Sequence, residues 1–375
     1  MTGERDPRLT PLAAGLPASV PFIGPETLER LRGRTFRARL GANESVFGSS
    51  PRAVAAMQAA ATEAWMYGDG SVHALRAALA ADLGVDAAHV MPGEGIDGLL
   101  GLLVRLTVGP GDAVVTSHGA YPTFAYHVTG FGGVLHAVPY RDDAADLPAL
   151  VEAAARTRAK LVYLANPDNP TGSWHRTGAV QAMIDALPEG CLLVLDEAYG
   201  EFAPPGTLPP LDPTDRRVIR MRTFSKAHGL AGLRVGYAIG DAALIAAFDT
   251  VRNHFGLGRV AQAGARAALA DRQWLAQVVA RVAEARERIA AIAADNGLRA
   301  LPSGTNFVAV DCGGDGALAR AVLEGLAARD VFVRMPGVAP LDRCIRISAG
   351  TPANLDILAA ELPGALAAAR ALAGS

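Results

Sequence analysis

Seven short β-rich runs, at residues 89–91, 113–116, 133–138, 161–165, 191–195, 218–221 and 235–239, alternate with helix-like segments through the middle of the chain. Several, such as LVYLA at 161–165 and CLLVL at 191–195, are apolar throughout instead of alternating. A strand can be apolar on both sides only where both faces of its sheet are covered, and the intervening helices supply that cover. The pattern predicts an α/β fold whose large unit is a mostly parallel, seven-stranded sheet flanked by helices. Ligands of such sheets sit beyond the carboxyl ends of the strands, so chemistry-bearing residues are expected just after the runs.

The flanks read differently. Residues 1–40 carry Pro7, Pro11, Pro17, Pro21 and Pro25, which disfavour a continuous helix or a central strand and predict an extended arm. Helices are expected over 51–65, with Ser50 as N-cap and Pro51 at the first position, and over 71–83. Residues 260–296 read as one or two amphipathic helices, followed by strands at 306–311, 331–334 and 344–348 and a helix from about 353. The expected organisation is an arm (1–40) packing on the small domain or a partner subunit, a large domain (41–252) and a smaller α+β domain (253–375).

Charge and composition narrow the function. With 35 Lys+Arg against 37 Asp+Glu, no basic excess exists to neutralise a nucleic-acid backbone. Cys191, Cys312 and Cys344 have no metal-ligand spacing and are odd in number, which argues against a zinc site or a disulfide framework and for a reducing compartment. The most apolar stretch, 98–108, is interrupted by Arg105 and is too short to span a bilayer. The N-terminus has no apolar signal-like region, so a cytoplasmic enzyme without metal, membrane or nucleic-acid partner is expected.

Three segments carry chemistry, each directly after a predicted strand. TFSKAHGLAGLR, residues 223–234, places Lys226 among hydroxyls and glycines. A desolvated lysine near other cations becomes a nucleophilic amine, while Thr223, Ser225 and Arg234 suit a phosphate dianion. LVLDEAY, residues 193–199, ends an apolar strand in Asp196, with Tyr199 three residues on. A buried carboxylate needs a cationic or donor partner, and a protonated pyridine nitrogen would serve. ANPDNPTG, residues 165–172, fixes a rigid loop through two X-Pro steps and presents Asn169. Each alone has a plainer reading: a basic turn, an aspartate capping a helix, a Pro/Asn turn.

Together and in this order the segments resemble fold-type I pyridoxal-phosphate enzymes, the aspartate aminotransferase-like superfamily. The resemblance implies pyridoxal 5′-phosphate as cofactor, Lys226 as its Schiff-base lysine, Asp196 on the pyridine nitrogen, and Asn169 and Tyr199 on the ring phenolate oxygen. It implies Thr223, Ser225 and Arg234 on the phosphate. MPGEGID, residues 91–97, then resembles the family's phosphate cup, with the amides of Ile96 and Asp97 as donors. GAYPTF, residues 119–124, resembles the segment that lays an aromatic ring on the coenzyme; Tyr121 is preferred and Phe124 is the other choice. Tyr67 resembles the tyrosine that family members lend to the neighbouring subunit's phosphate, which implies a homodimer.

LGANES (40–45), YGD (67–69) with Leu75-Arg76, VFVR (331–334) and CIRISAGT (344–351) are similar to segments of histidinol-phosphate aminotransferases. That resemblance runs from about 40 to 352. It implies transfer of an amino group from a histidinol phosphate-like donor to a 2-oxo acid such as 2-oxoglutarate. Asn43 and Arg346 would lie at the substrate carboxylate and Arg334 near its distal phosphate. Aromatic amino acid aminotransferases and phosphothreonine decarboxylases share comparable motifs. Two departures bear on the substrate: Gly68 stands where the family usually has proline, and HFGLGR at 254–259 replaces a Pro-Tyr-Asn-Val-Asn-like run, bringing Arg259 as an added positive charge.

Overall fold

The computed structural model describes residues 8–16 and 23–373; Pro7, Pro17 and Pro21 of the expected arm lie outside the described residues. Twelve strands are present among them: β1 Ala38–Arg39, β2 Val90–Gly93, β3 Ala113–Ser117, β4 Val134–Val138, β5 Leu161–Ala165, β6 Leu192–Asp196, β7 Val218–Thr223, β8 Gly236–Ile239, β9 Arg299–Ala300, β10 Phe307–Asp311, β11 Val331–Phe332 and β12 Cys344–Ser348. The large sheet has seven strands in the order β2-β8-β7-β6-β5-β3-β4. Only β8 runs against its neighbours β2 and β7; every other pairing is parallel.

The all-apolar runs are explained by their two-residue period. Leu161, Tyr163 and Ala165 of β5 pack with Val194 of β6 against helix Gly95–Thr107. Val162 and Leu164 pack with Leu193 and Leu195 on the other face, against helices Leu147–Thr157 and Thr177–Asp185.

The C-terminal unit is built on the antiparallel sheet β12-β10-β9. Ile345 and Ile347 of β12 join its core, so the intervening Arg346 points to the opposite side. Strand β1 pairs in parallel with β11, which stitches residues 38–39 into this unit. The expected strand 331–334 is shorter: β11 stops at Phe332, and the Arg334 backbone forms an isolated antiparallel bridge to Arg346. Helix Arg259–Ala270 packs with Pro51–Ala61 and His73–Leu83 beside the large sheet, whereas Arg272–Asp295 lies in the C-terminal core. The packing changes over at Asp271.

The arm is not simply extended. Pro11–Gly15 and Pro25–Arg32 are short helices with proline at the first turn, where the missing N–H removes no intrahelical bond. The Arg32–Asp330 ion pair and the Arg34 Nη2 bond to the Ala328 carbonyl (2.7 Å) fasten the 25–39 segment to the C-terminal unit, and the Arg39–Glu29 pair braces the segment internally.

Ser50 and Asp271 lock two helices together. The Ser50 hydroxyl accepts from the Ala53 amide (3.2 Å) and donates to Asp271 Oδ2 (2.7 Å), while Asp271 Oδ1 accepts from the Trp274 amide (3.2 Å). Ser50→Ala removes one cap and leaves the other without its hydroxyl partner. Unfolding free energy in urea should fall by about 1–2 kcal/mol, with circular dichroism reporting it.

Candidate active site

The carboxyl ends of β5, β6 and β7 open onto a cavity of about 680 Å³ between the two units. It is lined by Asn43, Ile96, Asp97, Tyr121, Asn169, Asp196, Tyr199, Thr223, Ser225, Lys226, Arg234, Arg334 and Arg346. The structure thus gathers every expected site residue except Tyr67. Tyr67 is 80% exposed and lies against Phe255 at a tilt, with centroids 4.9 Å apart. Of the two aromatic choices, Tyr121 lines the cavity, whereas Phe124 is buried and stacked on Tyr163 at 4.7 Å.

Asp196 ends β6 on the face that carries Val194, Tyr163 and Ala165, and Ala165 is its register partner. The small alanine leaves room for Tyr163, whose hydroxyl donates to Asp196 Oδ2 at 2.7 Å; the Ala198 amide donates to Oδ1 at 2.9 Å. Both partners are neutral. Burial therefore dominates and pushes the carboxyl up to about 6. Sequence reasoning does not single out Tyr163. Its one signal is a phenol two residues before the end of an otherwise apolar strand.

Lys226 follows β7 and donates to the Asn43 carbonyl at 3.2 Å. Burial first, then the guanidinium of Arg346, lower its amine to about 8. Its ammonium lies 5.7 Å from the Tyr199 ring centroid. Asn43, at φ 55, donates through Nδ2 to the Tyr199 hydroxyl (3.1 Å), and burial holds that phenol up at about 12. Ser348 and Asn306 fix Asn43 in turn: the Ser348 hydroxyl donates to Oδ1 (2.9 Å) and Asn306 Nδ2 to the Asn43 carbonyl (3.0 Å). Neither supporting residue stands out in sequence.

At the other end lies an anion cradle. Helix Gly95–Thr107 begins without a side-chain cap, so its first amides, Ile96 and Asp97 included, face the cavity mouth with the positive end of the helix dipole. Ser225 Oγ and Thr223 Oγ1 sit beside them, and Arg234 Nη1 donates to Ser225 Oγ at 3.3 Å. Arg234 Nη2 lies 3.6 Å from Asp97 Oδ2, and Tyr121 donates to Asp97 Oδ1 at 2.9 Å. Gly95 makes room: at φ +76, a Cβ there would come within 2.6 Å of Arg234 Nη2.

The donor end is a pair of arginines. Arg334 and Arg346 exchange backbone hydrogen bonds across their bridge (3.2 and 2.5 Å), so their side chains emerge on one face. Arg346 Nη1 donates to Asn169 Oδ1 at 2.5 Å, and Arg334 Nη2 to the Ile23 carbonyl at 2.8 Å. Burial lowers both guanidinium values. Arg259, expected as a new charge near the substrate, instead pairs with Glu63 (3.2 Å) and the Tyr67 carbonyl (3.1 Å), away from the cavity lining.

The donor set suits a flat, phosphorylated, ring-cationic ligand: an anion cradle, an aromatic wall and a buried carboxylate without a cation. Gly95→Ala should displace Arg234 and weaken inorganic phosphate binding by roughly tenfold, the loss of one charge-assisted hydrogen bond. Phosphorus NMR titration of the coenzyme-free protein measures this. Unchanged affinity would assign the cradle to the hydroxyls and amides alone.

Comparison with known proteins agrees with the geometry. Residues 38–362 match the family model described as aminotransferase class I and II. Histidinol-phosphate aminotransferase 1 of Mesorhizobium japonicum is 37% identical over 87% of this chain and 89% of its own length. The histidinol-phosphate aminotransferase of an Anaeromyxobacter species is 37% identical over 92% and 95%. The crystal structure of histidinol-phosphate aminotransferase from Sinorhizobium meliloti in complex with pyridoxal-5′-phosphate superimposes with a TM-score of 0.93, at 53% identity, covering 98% of this chain and 99% of that one. The chain belongs to the class I and II aminotransferases, in their histidinol-phosphate aminotransferase family.

Proposed function

We propose that this enzyme binds pyridoxal 5′-phosphate and moves an amino group from a histidinol phosphate-like donor to a 2-oxo acid, 2-oxoglutarate. The observation that carries the reading is Lys226 and the cation-free Asp196 at one end of a cavity whose other wall is the Arg334–Arg346 pair. When bound, the coenzyme supplies an aldehyde that takes up the amino group and a ring that draws electrons from the reacting carbon.

The residues divide the remaining work. Lys226 Nζ is the covalent anchor and, once displaced by the donor amine, would take the proton from the donor's Cα and deliver it to the coenzyme carbon that receives the amino group. Lowering to about 8 makes the free, proton-accepting form of this amine far more populated near neutral pH than that of an ordinary lysine. Asp196 keeps the ring nitrogen protonated, with Tyr163 and the Ala198 amide fixing its oxygens. Tyr121 covers one face of the ring. Asn169 and Tyr199 hold its phenolate oxygen, and Thr223, Ser225, Arg234 and the amides of Ile96 and Asp97 hold its phosphate.

Arg346 takes a carboxylate bidentately. An amino-alcohol phosphate carries its anion one C–O link farther out than a carboxylate does, which is toward the adjacent Arg334. The side-by-side guanidinia thus accept both an amino-alcohol phosphate and a dicarboxylic acceptor. Tyr67, exposed in one chain, is assigned to the phosphate of a partner subunit in a homodimer. Among the described residues no helix is long and apolar enough to cross a membrane, and we place the enzyme in the cytoplasm.

Single-turnover mixing with histidinol phosphate, aromatic amino acids and glutamate, followed by coenzyme absorbance, tests the reading. Histidinol phosphate should react fastest and 2-oxoglutarate should restore the starting spectrum. Release of carbon dioxide without glutamate would identify a decarboxylase instead. Lys226→Ala should slow turnover by at least about a hundredfold. In the wild type, the rate of covalent coenzyme capture by the apoprotein should rise with pH through about 8 and then level, as the free amine becomes the main form.

Asp196→Asn provides a check that does not depend on turnover. Burial raises the folded-state value from 3.8 to about 6, so between those values the folded apoprotein holds a proton that the unfolded chain has released. Stability from this group is present below the lower value, falls as pH rises to about 6, and then stays low. An uncharged amide at this position avoids the loss. The apo variant should be more stable than wild type at pH 7, on the order of 3 kcal/mol, yet bind coenzyme more weakly.

A further inference from the structure

We propose that Asp143 and Arg343 form a clamp that positions the strap of residues 334–341 as the donor-side wall of the cavity, and so set affinity for the amino donor. The inference rests on the assignment of this cavity as the donor site. The strap leaves the Arg334–Arg346 bridge, and Met335, Pro336, Gly337 and Val338 line the cavity facing Tyr121. It crosses from the C-terminal unit onto the large one. Gly119, at φ +94, is where it lands: a Cβ there would collide with Val338 Cγ2.

One side chain ties the strap down. Arg343 Nη1 donates to the strap's own Pro340 carbonyl at 2.8 Å, and Nε to Asp311 Oδ2, at the end of β10, at 2.9 Å. Its Nη2 spans the gap between units and reaches both carboxylate oxygens of Asp143 at 2.8 Å. Arg299 closes the cluster, 3.0 Å from Asp311 and 3.7 Å from Asp143. The Arg343 and Asp143 side chains are only 21% and 24% exposed, so water screens the pair incompletely.

The hairpin bearing Asp143 is shaped for this contact and against its own ease. Arg141 and Ala144 exchange two backbone hydrogen bonds of 2.9 Å around a two-residue loop, with Asp142 at φ 51 and Asp143 at φ 62. Both central residues are left-handed, as a type I′ turn requires, and asparagine-glycine is what such a turn favours. An aspartate at the second position gives up that ease and presents a carboxylate to Arg343. A turn kept only for the fold would gain from glycine there; a clamp would lose.

Two substitutions separate these cases: Asp143→Asn keeps a residue tolerant of positive φ, and Asp143→Gly relaxes the turn. In the holoenzyme, both should raise donor KM roughly tenfold, as expected when a charge-assisted pair is lost, with kcat changed less than about threefold. Coenzyme absorbance and the thermal midpoint should stay at wild-type values, and Asp143→Glu should recover part of the loss. Hydrogen exchange provides an arm that needs no substrate: peptides covering 334–342 should lose protection in both variants while those covering 223–234 do not.

Unchanged donor KM with unchanged strap protection would overturn the clamp. So would loss of coenzyme absorbance or of the thermal midpoint in parallel with activity, which would make Asp143 a residue of the fold. If the wild type transaminates no donor, the functional reading fails, and exchange in the strap still decides whether the clamp exists.

Discussion

Two adjacent carboxylates at the end of β6 are buried to the same depth and handled in opposite ways. Glu197 is fully buried and lies between two arginines of β7: Arg220 donates Nε to it at 2.9 Å and Arg222 donates Nε at 2.8 Å. Asp196, one residue earlier and on the other side of the strand, has a phenol and an amide. Removing a carboxylate from water costs far more than neutral hydrogen bonds return, so a cation normally follows it inside. Here the fold places its two cations on the side away from the cavity. The carboxylate without a cation is the one that lines the cavity, and that asymmetry supports the proposed ring-nitrogen role of Asp196.

The cavity's cations obey a related logic. Lys226 sits between Arg346 and Arg234, whose like charges add to burial in lowering its amine. The same guanidinia line the two ends of the cavity, one near the helix Gly95–Thr107 and one on β12. A single arrangement therefore gathers cations at both ends and lowers the central amine to about 8. Neither end could be reversed in sign without raising the amine again.

Strand periodicity makes the large sheet legible, because runs such as LVYLA have both faces covered and no other common architecture covers both. The polar residues after the runs are legible for the same reason: parallel strands deliver their carboxyl ends to one edge. The supporting contacts are not. Tyr163 meets Asp196 through a pairing between β5 and β6, Ser348 and Asn306 meet Asn43 across some three hundred residues of chain, and no local pattern encodes such a meeting. The arm misleads because proline reads as a breaker; in Pro25–Arg32 it starts the helix. Tyr121 caps the helix Pro122–Gly130 and Phe124 lies inside it, and a short aromatic cluster does not show where the helix begins or which ring is inward.

The two departures from the family pattern can now be placed. Gly256 of the 254–259 run packs so closely that a Cβ would collide with the Glu94 carboxylate at Oε1. Gly68 similarly lies against Gln262 Nε2, the Arg259 amide and the Leu257 carbonyl, all within 3.1 Å of its would-be Cβ. Arg259 ties back to Glu63 and Tyr67. Gly68 thus lets the 257–262 segment pack closely, and that segment carries the arginine that ties to the Tyr67 carbonyl. Within one chain these departures alter how Tyr67 is presented and leave the Arg334–Arg346 pair untouched. The arginine bridge and the strap that follows it line the cavity apart from these positions.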